Sequence, residues 1–400
     1  MSRARPALAV LLLTVATVAV GLAAGGAVTA PVQPADDPVV GTSENTSRVL
    51  LLTRADAAQF DTATPTVTNA LEAGHANLDT SFQRHRIEAR LDAADTPEAR
   101  GEILENATDD VARRVAQLRE QERDARAEFA NGQLTARQYL VTLGTLHAEA
   151  ETLETYLGRP SSEGTLYTYA RPGGGTRSRI SRLRAQLATL QGPVREQLAG
   201  VVVGDRPATR VHVSVGNGVM LSTLRGSQYV RESFRPDNLD EDVTSQVPPT
   251  RDIVTSHYPW VWNNSGGPST TLLEGYAFQW SADHNQGRVV AFVDMTTEQV
   301  YVERQWKSLL QVDAPYEARS SADNTTLLVS RTYAGGPVQI RVENASGAPV
   351  DATVALNGTG VGRTGEDGQL WTLSPASEYP VSVTHDGTSL DVNVTARPAP

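Results

Sequence analysis

The chain has 400 residues, with 46 Asp plus Glu against 35 Lys plus Arg and a net charge of -11. That length accommodates two or three domains with cores of their own, and 40% apolar with 20% charged residues excludes wholesale disorder. The acidic balance argues against nucleic acid as the main partner, and the absence of cysteine excludes disulfides, thiolate metal sites, thiol catalysis and a lipid-modified N-terminal Cys.

Arg3 and Arg5 open a basic start, Leu8 to Val20 is apolar, and Gly21 to Ala30 is small and weakly apolar. This layout predicts a secretory signal over residues 1–30, cut after Ala27 in preference to Ala30. The alternative is an uncleaved membrane anchor through residues 7–30, since the uncharged stretch exceeds the roughly 20 residues a spanning helix needs. Residues 31–50 read as a linker.

A helical bundle is expected over 51–200. Val67, Leu71, Leu78, Phe82 and Ala89 recur at helical spacing and predict one long helix over 55–93, bent at Pro65. Thr96-Pro97-Glu98 is a helix start, and Ile103, Ala107, Val111, Val115 and Leu118 form its apolar stripe. Asn131-Gly132 stops it. Thr135 to Gln138 reads as a capping box for a helix lined by Leu140, Leu143, Ala150, Leu153 and Leu157. Short connections predict antiparallel packing. After a loop with Gly173-Gly174-Gly175, a helix carrying Ile180, Leu183, Leu187 and Leu190 breaks at Gly192-Pro193 and resumes toward Leu198.

The period then changes to two. Val211, Val213 and Val215 alternate, Asn217-Gly218 signals a type I′ turn, and Val219–Arg225 returns. Phe234 to Thr250 is polar and acidic. Ile253 to Trp262 predicts a short helix, and Leu272–Trp280, Arg288–Asp294 and Gln299–Trp306 predict strands. Residues 205–312 therefore read as an α+β domain with an antiparallel sheet. Over 325–397, seven short strands from Thr326–Arg331 to Ser389–Val394 are separated by turns such as Asn357-Gly358 and Asp386-Gly387, which predicts an all-β Ig-like sandwich.

Seven of the asparagines stand in Asn-x-Ser/Thr: Asn45, Asn106, Asn263, Asn324, Asn344, Asn357 and Asn393. Their surplus over chance points to a glycosylated surface protein.

Gly347-Ala348-Pro349-Val350-Asp351-Ala352 with the later Thr364–Gly368 hairpin resembles the carboxypeptidase-regulatory-like, transthyretin-type sandwich, which implies a spacer or adhesion module. Val289 to Glu303, with Asp294-Met295-Thr296-Thr297-Glu298-Gln299-Val300, resembles the terminal hairpin of PepSY-type domains, with Glu298 or Gln299 in place of the expected glycine. The segments Gly192-Pro193-Val194-Arg195, Val211–Val215, His257-Tyr258-Pro259-Trp260 and Val361-Gly362-Arg363-Thr364-Gly365 make the chain similar to a family of uncharacterised exported proteins of halophilic archaea. Lys307 is the only lysine among 35 basic residues, and that arginine bias fits salt adaptation or a GC-rich genome.

No residue pattern marks a catalytic, cofactor or metal site. The seven histidines lack His-Glu-x-x-His spacing, and no Gly-x-Ser-x-Gly elbow exists. His85 is expected at a core edge. His147 belongs with Glu149, Glu151 and Glu154 among solvated helix charges, His212 to the solvent face of its strand, and Asp283-His284 to a loop. The glycines at 173–175 lack a P-loop's lysine, and Asp237 to Asp242 lacks the order of a calcium loop. Tyr258, Trp260 and Trp262 are the candidate recognition surface.

The expected function is a non-catalytic exported envelope protein with an envelope-protein or glycan partner. The alternative is an extracellular hydrolase or PepSY-like protease modulator with its site in the middle domain, recognisable by acidic residues gathered with His257 or His284. Coiled-coil oligomerisation is a third option, although the stripes run too briefly to require it.

Overall fold

Helices form where their caps place them. In this computed structural model, which describes residues 45–64, 82, 85–159, 165–172, 174–240, 247–273, 276–312, 314 and 316–394, the Thr96 side chain accepts from Ala99 N and starts α1 (Pro97–Ala130). Gly132, at φ 73°, lets the chain turn beyond it. The Thr135–Gln138 capping box starts α2 (Ala136–Leu157). Phe129 stacks on Tyr139 next to this connection, and Arg114 pairs with Glu149 farther along. The short α3 (Leu166–Tyr169), α4 (Gly175–Leu187) and α5 (Pro193–Val203) follow. Val111, Val115, Leu118, Leu146, Leu153 and Ile180 close one apolar core among the helices.

The predicted helix over 55–93 is corrected in its first part. Residues Ala55–Ala63 are strand β1, and residues 85–92 are helical; the Pro65 bend lies outside the described residues. β1 pairs antiparallel with β2 (Thr209–Gly216), aligning Phe60 with His212. Pairing gives this strand two useful faces. Ala57 and Ala63 join the core under the helices, while Phe60 lies on the other side against His212. That tertiary gain overrides the helical preference of an alanine-rich segment. His85, expected at a core edge, is exposed.

One antiparallel sheet of eight strands runs in the order β1-β2-β3-β4-β8-β7-β6-β5. Its remaining strands are β3 (Val219–Arg225), β4 (Gln228–Phe234), β5 (Ser269–Leu273), β6 (Ala277–His284), β7 (Gly287–Asp294) and β8 (Val300–Ser308). Three details differ from the sequence reading. The expected strand Leu272–Trp280 is two strands, reversed by a turn in which Tyr276 N donates to Leu273 O. Neither Asn217 nor Gly218 has positive φ, so the turn is not type I′. Instead, Asn217 accepts from Thr53 N, and Gly218 leaves room for Phe234 O, 2.1 Å from where a Cβ would stand. Gln228–Phe234 reads as polar in sequence yet forms a central strand.

The sheet is covered on both faces. Val211, Val213, Val215, Val230 and Phe292 pack against Tyr139, Leu140, Leu143, Val194 and Leu198 of the helices. Each such side chain removed from water contributes roughly 1.5–3 kcal/mol. The opposite face carries Phe278, Trp280, Val289, Ala291 and Val293 under α6 (Thr250–His257) and α7 (Pro259–Asn264). The break between these helices falls at Tyr258, since the residue before Pro259 leaves the α region (φ -128°, ψ 56°).

The C-terminal region is all β. Sheets β14-β11-β10-β9 and β13-β12-β15-β16 enclose Leu327, Val329, Ile340, Val354, Val381 and Val383. The strands are β9 (Tyr316–Ala322), β10 (Thr325–Arg331), β11 (Pro337–Asn344), β12 (Thr353–Leu356), β13 (Thr359–Arg363), β14 (Gln369–Leu373), β15 (Tyr379–His385) and β16 (Thr388–Val394). β9 adds an eighth strand before the expected first. The quoted motif residues have structural work to do. Thr364 Oγ1 donates to Val350 O and accepts from Ala352 N, while Arg363 and Gly365 N bind Asp351. The described residues all fall in one compact unit.

Candidate functional site

The most concentrated polar chemistry lies at the sheet's centre, where β4 and β8 each carry charged residues among their apolar ones. β4 and β8 pair Arg231 with Gln305, Glu232 with Arg304 and Ser233 with Glu303. Successive side chains point to opposite faces, so this run places buried charges on both sides of the sheet.

On one face, Arg231 Nη1 donates to Glu303 Oε1 at 2.8 Å, and both side chains are at most 2% exposed. Glu303 Oε2 accepts from Leu50 N (2.9 Å) and from Tyr258 Oη (2.7 Å). Arg231 Nη2 donates to Leu50 O at 2.6 Å. The backbone of Leu50 is thus gripped at both its donor and its acceptor. The grip continues along residues 45–50, which cross this face as a strap. Gln305 Nε2 donates to Arg48 O, Ser47 Oγ donates to Gln305 Oε1, and Gln286 Nε2 donates to Asn45 O. Lys307 Nζ donates to Thr46 Oγ1 at 3.0 Å. Burial, with Arg231 nearby, lowers the Lys307 amine to about 7 against the attraction of Glu303. Burial and the Glu303 carboxylate raise the Tyr258 phenol well above its ordinary range.

On the other face, Glu232 Oε2 accepts from Val194 N (2.8 Å) and Arg195 N (3.3 Å), the first turn of α5. Arg195 Nε lies 3.2 Å from Glu232 Oε1, and Arg195 Nη1 donates to Thr189 O. The positive end of the helix dipole and Arg195 both favour a carboxylate there. Burial nevertheless raises the Glu232 carboxyl above its usual range. Gly192 is required at this junction, because a Cβ would stand 2.0 Å from Glu232 Oε2. That accounts for Gly192-Pro193-Val194-Arg195 as a sequence motif.

The sheet also meets the sandwich. Ser222 Oγ and Tyr229 Oη both donate to Gly335 O, at 2.6 and 3.1 Å. Tyr229, Leu309 and Leu373 form a small apolar core there. His212 lies in this junction and not in solvent, which corrects the expectation. The period-two reading of its side was right, but the sandwich covers that side. Burial lowers its imidazole to about 4, and Gly335, at φ 72°, leaves it room.

Tyr258 cannot belong to a recognition surface. It is 1% exposed, stacked on Trp280 and hydrogen-bonded to Glu303. Trp260 and Trp262 are half-buried beside it, the first edge-on to His284, the second under the Arg251 guanidinium. His257 Nε2 lies 2.9 Å from Glu298 O, while burial and Lys307 lower His284 to about 4. These two histidines therefore engage different partners. His147 is buried, which corrects its reading as a solvated charge, and burial lowers it to about 3. Glu149 and Glu154 are held by Arg114 and Arg159. Among the described residues, no cluster of His, Asp and Glu has metal-ligand geometry. Asp237 pairs with Arg235, and residues 241–242 and 173 lie outside the described residues. In the β7–β8 turn, Glu298 has φ 56°, the conformation for which a glycine was expected, and Asp294 Oδ1 accepts from Thr296 N and Thr297 N. Six of the seven sequon asparagines are exposed, and Asn344 is half-buried, its Oδ1 accepting from Ser346 N and Ala348 N. No described helix is long and apolar enough to cross a membrane, and residues 7–30 lie outside the described residues.

The sequence reading missed the Arg231–Glu303 and Glu232–Arg195 clamps. The only signal was negative: Arg231-Glu232-Ser233 and Glu303-Arg304-Gln305 interrupt the apolar alternation of strands that must be central.

Three family models match the chain, and the C-terminal one agrees with the β-sandwich. Residues 1–207 match a domain of unknown function (DUF7096), residues 211–313 a family of unknown function (DUF7094), and residues 316–392 an archaeal fibronectin-III type-like domain. The first match covers just over half of the chain, and the chain belongs to the DUF7096 family. No curated protein matches it. The first two matched regions interlock, since β1 from one pairs with β2 from the other.

Proposed function

We propose that this chain is an exported envelope protein that works by binding and not by catalysis, with its sandwich as a spacer or adhesion module. The basic, apolar and small-residue layout of residues 1–30 supports export. The acidic charge and the single lysine fit a salt-adapted host. In this reading α1 and α2 are an antiparallel hairpin of the body. The observation that carries the proposal is the spread of exposed sequons. Asn45 is on the strap, Asn106 on α1, Asn263 on α7, and Asn324, Asn357 and Asn393 on the sandwich. Each part of the body thus has a place for a glycan outside its core. The hydrolase alternative is set aside because His257 and His284 do not share a carboxylate-lined cleft.

The test is expression of a C-terminally tagged chain in a haloarchaeal host, followed by fractionation and intact-mass analysis. The expected outcome is protein in the envelope or medium, with glycan mass lost on combined Asn→Gln substitution at the six exposed sequons. Unmodified protein confined to the cytosol would sink the proposal.

A further inference from the structure

A cleft of about 360 Å³ lies between α1, the 3-10 turn Ala188–Leu190 and the segment after β4. It borders the Glu232–Arg195 clamp at Thr189, whose carbonyl accepts from Arg195, and it shares no lining residue with the Glu303 clamp, Trp260, Trp262 or the sequons. Its α1 wall presents Arg119, Arg123 and Arg126, spaced by four and three residues and so on one helix face. Its other walls include Leu190, Phe234 and Pro236. Glu120 and Glu122 also line it. The lining thus carries three positive and two negative side chains, a local excess of +1 on a chain of net charge -11.

Three observations separate this cleft from an ordinary solvated helix face. The Arg126 side chain is only 12% exposed. Its Nη1 is buried and makes no hydrogen bond, although it is ion-paired with Glu122, whose Oε2 stands 3.7 Å away. An unmatched buried guanidinium N–H is costly, and an acceptor supplied by a ligand is one way to meet that cost. Finally, the guanidinium lies 5.9 Å from the Phe234 ring centroid, so the orphaned donor and an apolar wall adjoin. Arg123 is different: it is exposed and already turned to Glu120 and Asp124.

We propose that this cleft binds a small organic anion, a carboxylate or phosphate ester bearing a short apolar group. Arg126 takes the anionic oxygens, with Arg119 adding to the local positive field. The apolar group lies against Phe234, Leu190 and Pro236. A planar guanidinium suits either anion, because both offer paired oxygens to its fork. The proposal needs neither export nor glycans, so it stands or falls separately from the function proposed above.

The test is calorimetric titration of the purified full chain with 4-phenylbutyrate, phenyl phosphate and the neutral 4-phenylbutanol, at one fixed salt concentration. Both anions are expected to bind and the alcohol not. A stronger response to one anion assigns the natural ligand to carboxylates or to phosphate esters. Arg126→Met should weaken binding about tenfold or more, the equivalent of one charge-assisted hydrogen bond. Arg126→Lys should weaken it less, and Arg251→Met, at Trp262, should leave it unchanged. If Arg126→Met fails to fold, the wild-type chain labelled with 15N-arginine supplies the readout. The Arg126 side-chain resonance must then move on titration. Equal binding of the alcohol, an unmoved Arg126 resonance, or no binding of either anion at millimolar concentration would overturn the proposal.

Discussion

The two faces of the eight-stranded sheet use one device in two ways. On each face a buried carboxylate from the sheet's centre accepts backbone N–H groups from the segment crossing it, and an arginine balances the charge. For Glu232 the segment is the first turn of α5, and Arg195 comes from that same helix. For Glu303 the segment is the strap at Leu50, and the arginine, Arg231, belongs to the sheet. The helix brings its own dipole and cation to the carboxylate. The strap brings no dipole or paired cation to Glu303, only backbone groups and the Thr46 and Ser47 hydroxyls, which Lys307 and Gln305 engage. The difference teaches that a helix arrives preorganised for an anion, whereas an irregular segment must be bound group by group.

Breaking each clamp separately should have the largest effect. Glu303→Leu strands the Arg231 charge, Leu50 N and Tyr258 Oη, and should cost roughly 3–5 kcal/mol in urea unfolding. Glu232→Leu should fall at the low end of that range, since Arg195 Nη1 keeps Thr189 O. Hydrogen exchange sharpens the contrast. The first variant should deprotect residues 45–52 and spare α5, and the second should do the reverse. Identical exchange patterns in the two variants would refute separate clamps.

A smaller effect concerns the sandwich junction on the strap face. The folded His212 imidazole titrates at about 4, against an ordinary value of 6.5. Between those values the unfolded chain binds a proton that the folded chain does not. Stability must therefore fall as pH drops from 6.5 to 4, by about 3 kcal/mol from this group. His212→Phe should reduce the slope of that part of the stability–pH curve, leaving the share of His147 and His284; an unchanged slope would show that His212 contributes nothing to it. Least affected should be Thr135→Ala, which removes a capping box remote from both clamps. A loss of about 1 kcal/mol is expected, read as a lower Tm with both clamps still protected from exchange.

Local codes were legible in the sequence. The caps at Thr96 and Thr135, the stop at Asn131-Gly132, the break at Gly192-Pro193 and the alternation of Val211, Val213 and Val215 each state their structure within a few residues. The C-terminal turns did the same for most of the sandwich. β1 was not legible, because Ala-Asp-Ala-Ala-Gln reads as helix until β2 offers it a ladder. β4 was not, because its charges resemble a surface. His212 was half legible: its side of the strand could be read, but not what covers that side. The clamps were illegible for the same reason, since Leu50 and Glu303 are 253 residues apart.

The sequence by itself determined most helices and strands, the acidic and cysteine-free chemistry, the export-like layout of residues 1–30 and the sequon surplus, because propensity, capping and composition act over short range. Only the tertiary structure decided which face of each strand is wet, which charges are buried and how residues 45–50 are held. Those outcomes depend on desolvation and on partners brought from distant segments, and no window of sequence contains them.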